Sequence, residues 1–261
     1  MIALIRTDGS FKIGVGHVTR CMALAEGLKQ SGIKSLFVIK DHDKNVIRFI
    51  RDKGYKLKII SKKSSVKQEV IFFNRCIKRY KPRFLITDLY SIDNEYLRKV
   101  NVREAVLVSI DGLIRKDFYS DIVINQNAGV GRKDYKGMIK REAVLLSGSK
   151  YFLLRKEFRA IRRNSRKIKA KIKSILICMG GADPVNATLK ILESLRGRLG
   201  NGIELKIILG VAYKHTSALK KMISKKMRGQ AEVYLNPSNF ADIVFSSDIV
   251  ICAGGVTLME T

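Results

Sequence analysis

The stretch that decides the fold is IALIRTDGSFKIGVGHVTRCMALAEGL, residues 2–28. It opens with a short apolar run, passes through a polar loop that carries Gly14 and Gly16, and continues as an amphipathic segment. A strand, a glycine loop and a helix in this order are typical of the start of an α/β domain with a parallel sheet. His17 follows Gly16 directly, so we expect a histidine at the positive end of a helix, beside backbone that a ligand can approach closely.

The same alternation of apolar runs and helix-like segments continues through the first half of the chain. Further runs begin at Ser35, Leu57, Phe84, Ala105, Asp121 and Ala143. Continuous Val, Ile and Leu runs are typical of strands that are buried on both faces, as in parallel sheets with helix crossovers. The pattern predicts an α/β, doubly wound domain over residues 1–154.

A second α/β run follows a strongly basic segment. Residues 155–173 hold ten basic side chains and one acidic one, and no strand fits there. We interpret the segment as a linker plus helix; a basic helix that touches a membrane surface is the alternative. Apolar runs then begin at Ser174, Ile203, Ala231 and Asp248, with Pro184 placed where it could start a helix. The chain stops as the last helix begins, so we expect the second domain, residues 174–261, to be incomplete.

Composition and charge limit which kinds of protein this chain can be. The chain has 261 residues, of which 46% are hydrophobic, and carries 51 basic against 23 acidic side chains, a net charge of +28. Such a charge bears on solubility and nonspecific binding rather than on fold. Solvated faces explain most of it, and attraction to anionic lipid or to a phosphate-rich substrate is the alternative. The cysteine and histidine spacings indicate no metal site, and without a signal peptide or an apolar run of about 18 residues we expect a cytoplasmic protein.

Three glycine-bearing loops stand where strands are predicted to end. They read IGVGH, GGADP and AGGVT, and each leads into a helix. Backbone N–H groups at such a position favour phosphate, and three such loops in two α/β domains indicate a nucleoside diphosphate ligand. The first loop is not a dinucleotide fingerprint, because Thr19 stands where the third glycine would be. Neither a phosphate-binding loop ending in Gly-Lys-Ser/Thr nor a Gly-x-Ser-x-Gly elbow occurs.

His17 carries the sharpest chemical hypothesis. The positive end of a helix disfavours the imidazolium, and a neutral ring can take a proton from water as a general base. The alternative is that His17 only caps the helix or contacts phosphate.

Other candidate site residues follow predicted strand ends, and each could serve either a ligand or the local backbone. Asp88, Tyr90 and Asp111 would point to the rim of the first sheet, as would Asn125 and Asn127, but each could instead cap a loop or helix. Glu260 could accept hydrogen bonds from a ribose diol or merely interact with a helix dipole.

The ordered motifs resemble one family. Arg6 and Asp8 in R-x-D, then IGVGHVTRCMALAEGL, TDLY, SIDGL, DIVINQN, GSKYFLLRKEF, MGGADPVN and CAGGVTLME are similar to the UDP-sugar hydrolases of pseudaminic acid biosynthesis, over residues 1–261. The resemblance implies a MurG-like GT-B fold, in which two Rossmann-like domains face a cleft. It also implies inverting, metal-independent hydrolysis of a UDP-2,4-diacetamido-2,4,6-trideoxy sugar, with water attacking the anomeric carbon and no cofactor.

The resemblance also implies roles for individual residues. His17 matches the catalytic histidine and Tyr90 a tyrosine near the sugar, and we place Asp8 and Asp111 at the same substrate site. The remaining matches are to substrate-binding loops: Gly14 and Gly16 beside the diphosphate, Gly180, Gly181 and Asp183 at a second phosphate-facing loop, and Gly254, Gly255, Thr257 and Glu260 at the loop that holds UDP. The family commonly has an acid after the aspartate of SIDG, where this chain has Gly112.

Two other functions stay open from the sequence. One is a GT-B glycosyltransferase that uses a UDP-amino sugar at the membrane surface, which the basic charge would suit. The other is a truncated remnant that binds UDP-sugar weakly or not at all. For the hydrolase we expect a UDP-sugar as the partner, no nucleic acid, a monomer, and at most weak association with anionic membranes.

Overall fold

The computed structural model describes residues 1–40, 43–100, 102, 104–114, 118–161, 169–200, 202–227 and 229–261. The chain divides into two compact units. The first contains Met1–Asp8 and Arg20–Leu153, and the second contains Gly9–Thr19 and Leu154–Thr261. The predicted boundary segment, residues 155–173, stays a prediction, and its residues 162–168 lie outside the described residues.

The first unit is built on a seven-stranded parallel sheet. Its strands are β1 (Ile2–Thr7), β2 (Lys34–Lys40), β3 (Lys56–Ile60), β4 (Phe84–Asp88), β5 (Val106–Ile110), β6 (Ile122–Asn125) and β7 (Val144–Ser147). Their order in the sheet is β3-β2-β1-β4-β5-β6-β7, and every pairing is parallel. The order reverses beside β1, the kind of position where doubly wound sheets bind ligands.

Helices connect these strands. They are α1 (Gly16–Gln30), α2 (Lys44–Asp52), α3 (Val66–Tyr80) and α4 (Asn94–Lys99), with 3-10 turns at Arg132–Tyr135 and Ser149–Tyr151. Ser65 and Gln68 form a capping box at α3, and aspartates cap α2 and α4. One core layer joins Leu4, Leu36, Leu85 and Leu107 of four strands to Phe73 of α3, all buried. Burying these apolar side chains holds the helix against the sheet.

The second unit carries a smaller parallel sheet. Its elements are α5 (Lys156–Ile161), β8 (Ser174–Cys178), α6 (Ala187–Leu195), β9 (Glu204–Leu209), α7 (Thr216–Lys226), β10 (Ala231–Leu235), α8 (Phe240–Ser246), β11 (Ile249–Cys252) and α9 (Val256–Glu260). The strands are ordered β10-β9-β8-β11, again with parallel pairing throughout. The predicted α/β class with two Rossmann-like sheets is therefore confirmed.

Two details of α6 differ from the sequence prediction. Pro184 does not start the helix, which begins at Ala187, because the Asp183 carboxylate accepts the first free backbone N–H groups from Ala187 and Thr188 at 2.7 and 2.9 Å. The segment ATLKILESLRGRLG, residues 187–200, predicts a helix over its whole length, yet α6 ends at Leu195. The chain turns there because Gly197 adopts a left-handed conformation, with φ of +69°.

The described helices include none with the length and apolar character needed to cross a bilayer.

Candidate functional site

Asp88 ends β4 and forms a buried ion pair with Arg20 of α1. Arg20 Nε lies 2.6 Å from Asp88 Oδ2 and Nη2 lies 2.5 Å from Oδ1, while Cys21 Sγ lies 3.5 Å from Oδ2. Burial opposes the charge of Arg20, but Asp88 outweighs it and raises the Arg20 pKa. The bidentate pair ties α1 to the end of β4. The sequence singled out Asp88 but missed Arg20 as its partner.

Asp8, a predicted substrate-binding residue, belongs to a buried charge network at the end of β1. Its Oδ1 accepts hydrogen bonds from Arg6 Nη1 at 2.6 Å and from the Lys40 backbone N–H at 2.7 Å, and its Oδ2 accepts one from Arg6 Nη2 at 2.9 Å. Arg6 also binds Glu69 at 2.7 Å, and Lys40 Nζ lies 3.4 Å from Glu69. Burial alone would raise the pKa of Glu69, but Arg6 and Lys40 lower it. The Asp8 carboxylate therefore ties the end of β1 to the end of β2.

Asp111 and Asn125 share a second buried network at the ends of β5 and β6. Tyr135 donates its hydroxyl proton to Asp111 Oδ2 at 2.5 Å and accepts a hydrogen bond from Asn125 at 2.7 Å. Asp111 Oδ1 accepts the Leu113 N–H, and Asn127 donates to the Gly112 carbonyl oxygen, both at 3.0 Å. Burial and then the hydrogen bond to Asp111 raise the pKa of Tyr135. The network holds the SIDG loop in place, and Tyr135 is a member that the sequence did not indicate.

Tyr90, by contrast, is an exposed side chain. Its side chain is 52% exposed just beyond β4, two residues after Asp88. This exposure is compatible with the predicted role beside a sugar. Its role stays a prediction.

The IGVGH loop presents His17 at the start of α1. Ser10 and Gly14 close the loop with two backbone hydrogen bonds of 2.8 and 3.0 Å, and Gly14 has φ of +78°, a conformation that favours glycine. A Cβ at Gly16 would meet nothing within 4 Å, so the backbone before the histidine is open. His17 is the second residue of α1 and is 6% exposed. The loop is a hydrogen-bonded turn with an exposed backbone at Gly16 and a buried His17.

The GGADP loop is tightly packed within the second unit. A Cβ at Gly181 would lie 1.7 Å from Val15 Cγ2, and a Cβ at Gly210 would lie 2.3 Å from Gly181 Cα. Ala212 N donates to the Gly181 carbonyl oxygen at 2.9 Å. Gly181 thus permits close packing, whereas Gly180, with φ of +85° and no neighbour within 4 Å of a Cβ, keeps open backbone. The Asp183 carboxylate is committed to the α6 cap described above.

The third loop ends at Glu260. Gly254 and Gly255 are exposed, and Thr257 is half-buried in the first turn of α9. The Glu260 side chain is fully buried, and Arg155 binds both its oxygens, with Arg155 Nε 2.7 Å from Oε1 and Nη2 in contact with Oε2. The guanidinium carbon of Arg155 lies 4.5 Å and 5.0 Å from the ring centroids of Phe240 and Phe158.

Arg155 therefore fixes the orientation of the carboxylate predicted to hold ribose. The sequence indicated this arginine within the basic segment and within the GSKYFLLRKEF motif, but assigned it no role of its own.

Within the described part of the chain, no group of three His, Cys, Asp or Glu side chains is placed to hold a metal ion.

The chain is similar along its whole length to several curated proteins. It is 27% identical over 263 residues to the UDP-2,4-diacetamido-2,4,6-trideoxy-beta-L-altropyranose hydrolase of Campylobacter jejuni, covering 100% of this chain and 87% of that protein. It is 27% identical to the spore coat polysaccharide biosynthesis protein SpsG of Bacillus subtilis, covering 98% and 73%. An uncharacterized protein of Methanocaldococcus jannaschii is 28% identical over 99% of this chain, which spans 53% of that protein. No family model matches the chain.

Solved structures show the same fold at lower identity. MurG of Acinetobacter baumannii superposes with a TM-score of 0.57 at 15% identity, over 99% of this chain and 73% of that one. The MnaA–UDP co-structure from S. aureus gives 0.58 at 10% identity, over 100% and 77%. The chain therefore has the α/β fold of MurG-like GT-B enzymes and is similar over its full length to a UDP-sugar hydrolase.

Proposed function

We propose that this protein hydrolyses a UDP-2,4-diacetamido-2,4,6-trideoxy sugar in the biosynthesis of pseudaminic or another nonulosonic acid. The observation that carries the proposal is His17 at the start of α1, directly after an open glycine backbone, in a chain with full-length similarity to such a hydrolase. A histidine so placed suits general-base chemistry beside a phosphate-binding loop.

In the proposed reaction, His17 takes a proton from water while the water oxygen attacks the anomeric carbon. The bond between that carbon and the oxygen of the β-phosphate breaks, and UDP leaves with that oxygen. The free sugar is released with inverted configuration. Attack and departure from opposite faces require the water and the diphosphate to be held on either side of the sugar.

The other predicted residues supply binding in this scheme. The open backbones of Gly14, Gly16 and Gly180 bind the diphosphate, and Gly254, Gly255 and Thr257 contact the nucleotide. Arg155 orients the Glu260 carboxylate, which accepts hydrogen bonds from the ribose hydroxyls once its buried side chain is uncovered to the nucleotide. Tyr90 lies against the sugar. The buried networks of Asp8 and Asp111 hold the first-unit loops in shape.

Incubation with the UDP-diacetamido sugar and no acceptor tests the proposal. We expect release of UDP and free sugar in equal amounts, unchanged when EDTA is added, because the scheme needs no metal. UDP release that depends on an added acceptor would instead support a glycosyltransferase, the function favoured by the likeness to MurG. No detectable heat on titration with UDP would support a remnant without activity.

A further inference from the structure

We propose that Arg20 and Gly112 of the first unit form a recess that binds an N-acyl group of the sugar. Arg20 donates a hydrogen bond to the carbonyl oxygen of that group. The acyl carbons lie in the space that a side chain at position 112 would fill. The inference rests on the proposed function for the identity of the sugar, and it assigns two residues that determine which sugars the site accepts.

Asp88 holds the guanidinium of Arg20 in one orientation. Nε and Nη2 of Arg20 lie 2.6 and 2.5 Å from the two carboxylate oxygens of Asp88, and both side chains are largely buried. A planar fork that is bound at two points has little freedom to rotate. Its third nitrogen, Nη1, faces Gly112 and would lie 3.8 Å from a Cβ at that position. Asp88 therefore fixes the place of a donor nitrogen beside Gly112.

The described surroundings of Gly112 do not require a glycine for folding. Its φ lies outside the left-handed region, so other residues could adopt the same backbone. Among the described residues beyond its chain neighbours, a Cβ there would come within 4 Å of Arg20 Nη1 alone, at an ordinary contact distance. Gly181, by contrast, would meet Val15 at 1.7 Å. The missing side chain at position 112 thus leaves a space beside a buried arginine.

Hydrogen bonds on both sides of Gly112 keep this space open. Asn127 donates to the Gly112 carbonyl oxygen, and Asp111 Oδ1 accepts the Leu113 N–H, both at 3.0 Å. Tyr135 in turn holds the other oxygen of Asp111 at 2.5 Å. A group that enters the recess therefore causes little reordering of the loop, which favours binding.

The recess lies at the edge of the sheet where doubly wound domains bind ligands. Asp88 is the last residue of β4, and Gly112 follows the end of β5 by two residues. These strands are parallel neighbours, and β4 adjoins β1, beside which the strand order reverses. Tyr90, the predicted sugar contact, follows Asp88 by two residues and is 52% exposed. A sugar bound beside Tyr90 would therefore lie near the recess.

The charges of the recess favour a neutral acceptor as its ligand. Asp88 already balances the charge of Arg20, so a carboxylate or phosphate at Nη1 would be repelled by the nearby Asp88 carboxylate. An amide carbonyl oxygen gains a hydrogen bond from a charged donor without that repulsion. A protonated amine offers no acceptor and is repelled by the guanidinium. The recess therefore distinguishes an N-acyl group from the free amine.

Calorimetric titration of the full chain tests the inference. The ligands are the UDP-2,4-diacetamido sugar and its two analogues in which one acetamido group is replaced by an amine. The titrations use the His17→Asn background, in which the proposed hydrolysis is slow and the ligand persists. The test variant is Gly112→Val, which fills the recess. The matched control is Gly131→Val, because Gly131 is also half-buried, has φ of −140° and would meet nothing within 4 Å of a Cβ.

We expect one of the two analogues to bind about 10- to 100-fold more weakly than the diacetamido sugar, the effect of losing a hydrogen bond from a charged donor. Gly112→Val should weaken binding of the diacetamido sugar by a similar factor and remove most of its advantage over that analogue. Gly131→Val should bind all three ligands as the parent does. Affinity for UDP alone should be the same in all variants, because the recess contacts only the sugar.

A second variant, Arg20→Lys, tests the donor itself. Lysine keeps a cation beside Asp88 but has no fork and no Nη1, so the preference for the N-acyl group should fall as it does in Gly112→Val. Circular dichroism and UDP binding show whether the variant is folded. A preference that survives in a folded Arg20→Lys protein would exclude Arg20 as the donor.

Equal affinity for the three ligands, or equal losses in Gly112→Val and Gly131→Val, would overturn the inference. The proposed function is judged separately by turnover of the unmodified chain. Hydrolysis of the diacetamido sugar with no preference among the ligands would exclude the recess and keep the hydrolase. A clear preference without hydrolysis would do the reverse, and no heat with any of the ligands would contradict both.

Discussion

Arg155→Met measures how much the buried ion pair between Arg155 and Glu260 contributes to the stability of the fold. The substitution keeps most of the side-chain volume over Phe158 and Phe240 but removes the guanidinium from Glu260, whose side chain is fully buried. Breaking a buried ion pair by removing one partner costs about 3–5 kcal/mol. The Arg155 side chain is 24% exposed, so water can partly replace the missing guanidinium beside Glu260. We therefore expect a loss of stability of about 3 kcal/mol, the lower end of that range.

The assay is thermal unfolding followed by circular dichroism. A loss of about 3 kcal/mol lowers the unfolding midpoint by roughly 6–12 °C in a chain of this size. Arg159→Met is the matched control, since Arg159 is exposed on α5 one turn further along, and its midpoint should change by less than about 2 °C.

A double-mutant cycle decides whether the loss of stability in Arg155→Met comes from its ion pair with Glu260. Glu260→Gln in the Arg155→Met background should cost little more, because a neutral amide needs no cationic partner, and the coupling energy should exceed about 1 kcal/mol. Equal destabilisation by Arg155→Met and Arg159→Met, or additive losses in the cycle, would mean that the ion pair does not stabilise the fold. Independently, Glu260→Gln should raise the Michaelis constant for the UDP-sugar more than it lowers turnover.

Three further predictions follow from the first loop, the glycine contacts and the buried charges. His17→Asn should lower turnover by roughly 10²–10⁴ with the fold intact, and near-normal turnover in a steady-state assay would remove His17 from the mechanism. Gly210→Ala should lower the free energy of unfolding by about 1–3 kcal/mol in a denaturant titration, because its Cβ would lie 2.3 Å from the backbone of the GGADP loop. The control Gly200→Ala should be tolerated, because its Cβ meets only Ile203 Cδ1 at 3.9 Å. Equal losses in the two variants would contradict the close contact at Gly210. The lowered pKa of Glu69 means that its charge stabilises the fold above its ordinary pKa of 4.5 and that this contribution is lost as pH falls through the folded-state value. Unfolding midpoints between pH 3 and 7 should therefore fall less steeply in Glu69→Gln than in the unmodified protein or in the exposed control Glu142→Gln, and identical slopes would contradict the assignment.

The strands were predictable because parallel sheets bury both faces. Runs such as FLITD and DIVIN contain few polar residues, and the structure has β4 at Phe84–Asp88 and β6 at Ile122–Asn125. Helix ends were less predictable. Asp183 could be interpreted as a phosphate-facing residue or as a cap, and its carboxylate caps α6. One side chain can meet either need, and only the local backbone decides between them.

Partners distant in sequence could not be predicted from pattern. Arg20 meets Asp88 across 68 residues, Tyr135 meets Asp111 across 24, and Arg155 meets Glu260 across 105. Each pair depends on how strands and helices pack, which no local periodicity encodes. The sequence could indicate carboxylates at strand ends, but the residues that fix their charge and direction became visible only in the fold.

Hydrolysis in water enriched in ¹⁸O tests directly whether water attacks the anomeric carbon of the UDP-sugar. The purified chain is incubated with the UDP-2,4-diacetamido-2,4,6-trideoxy sugar and no acceptor, and both products are analysed by mass spectrometry within the first turnovers. We expect one ¹⁸O atom at the anomeric position of the released sugar and none in UDP. Label in the phosphate of UDP would mean attack at phosphorus, and an absence of products without an acceptor would mean transfer to another molecule. Either result would contradict attack of water at the anomeric carbon.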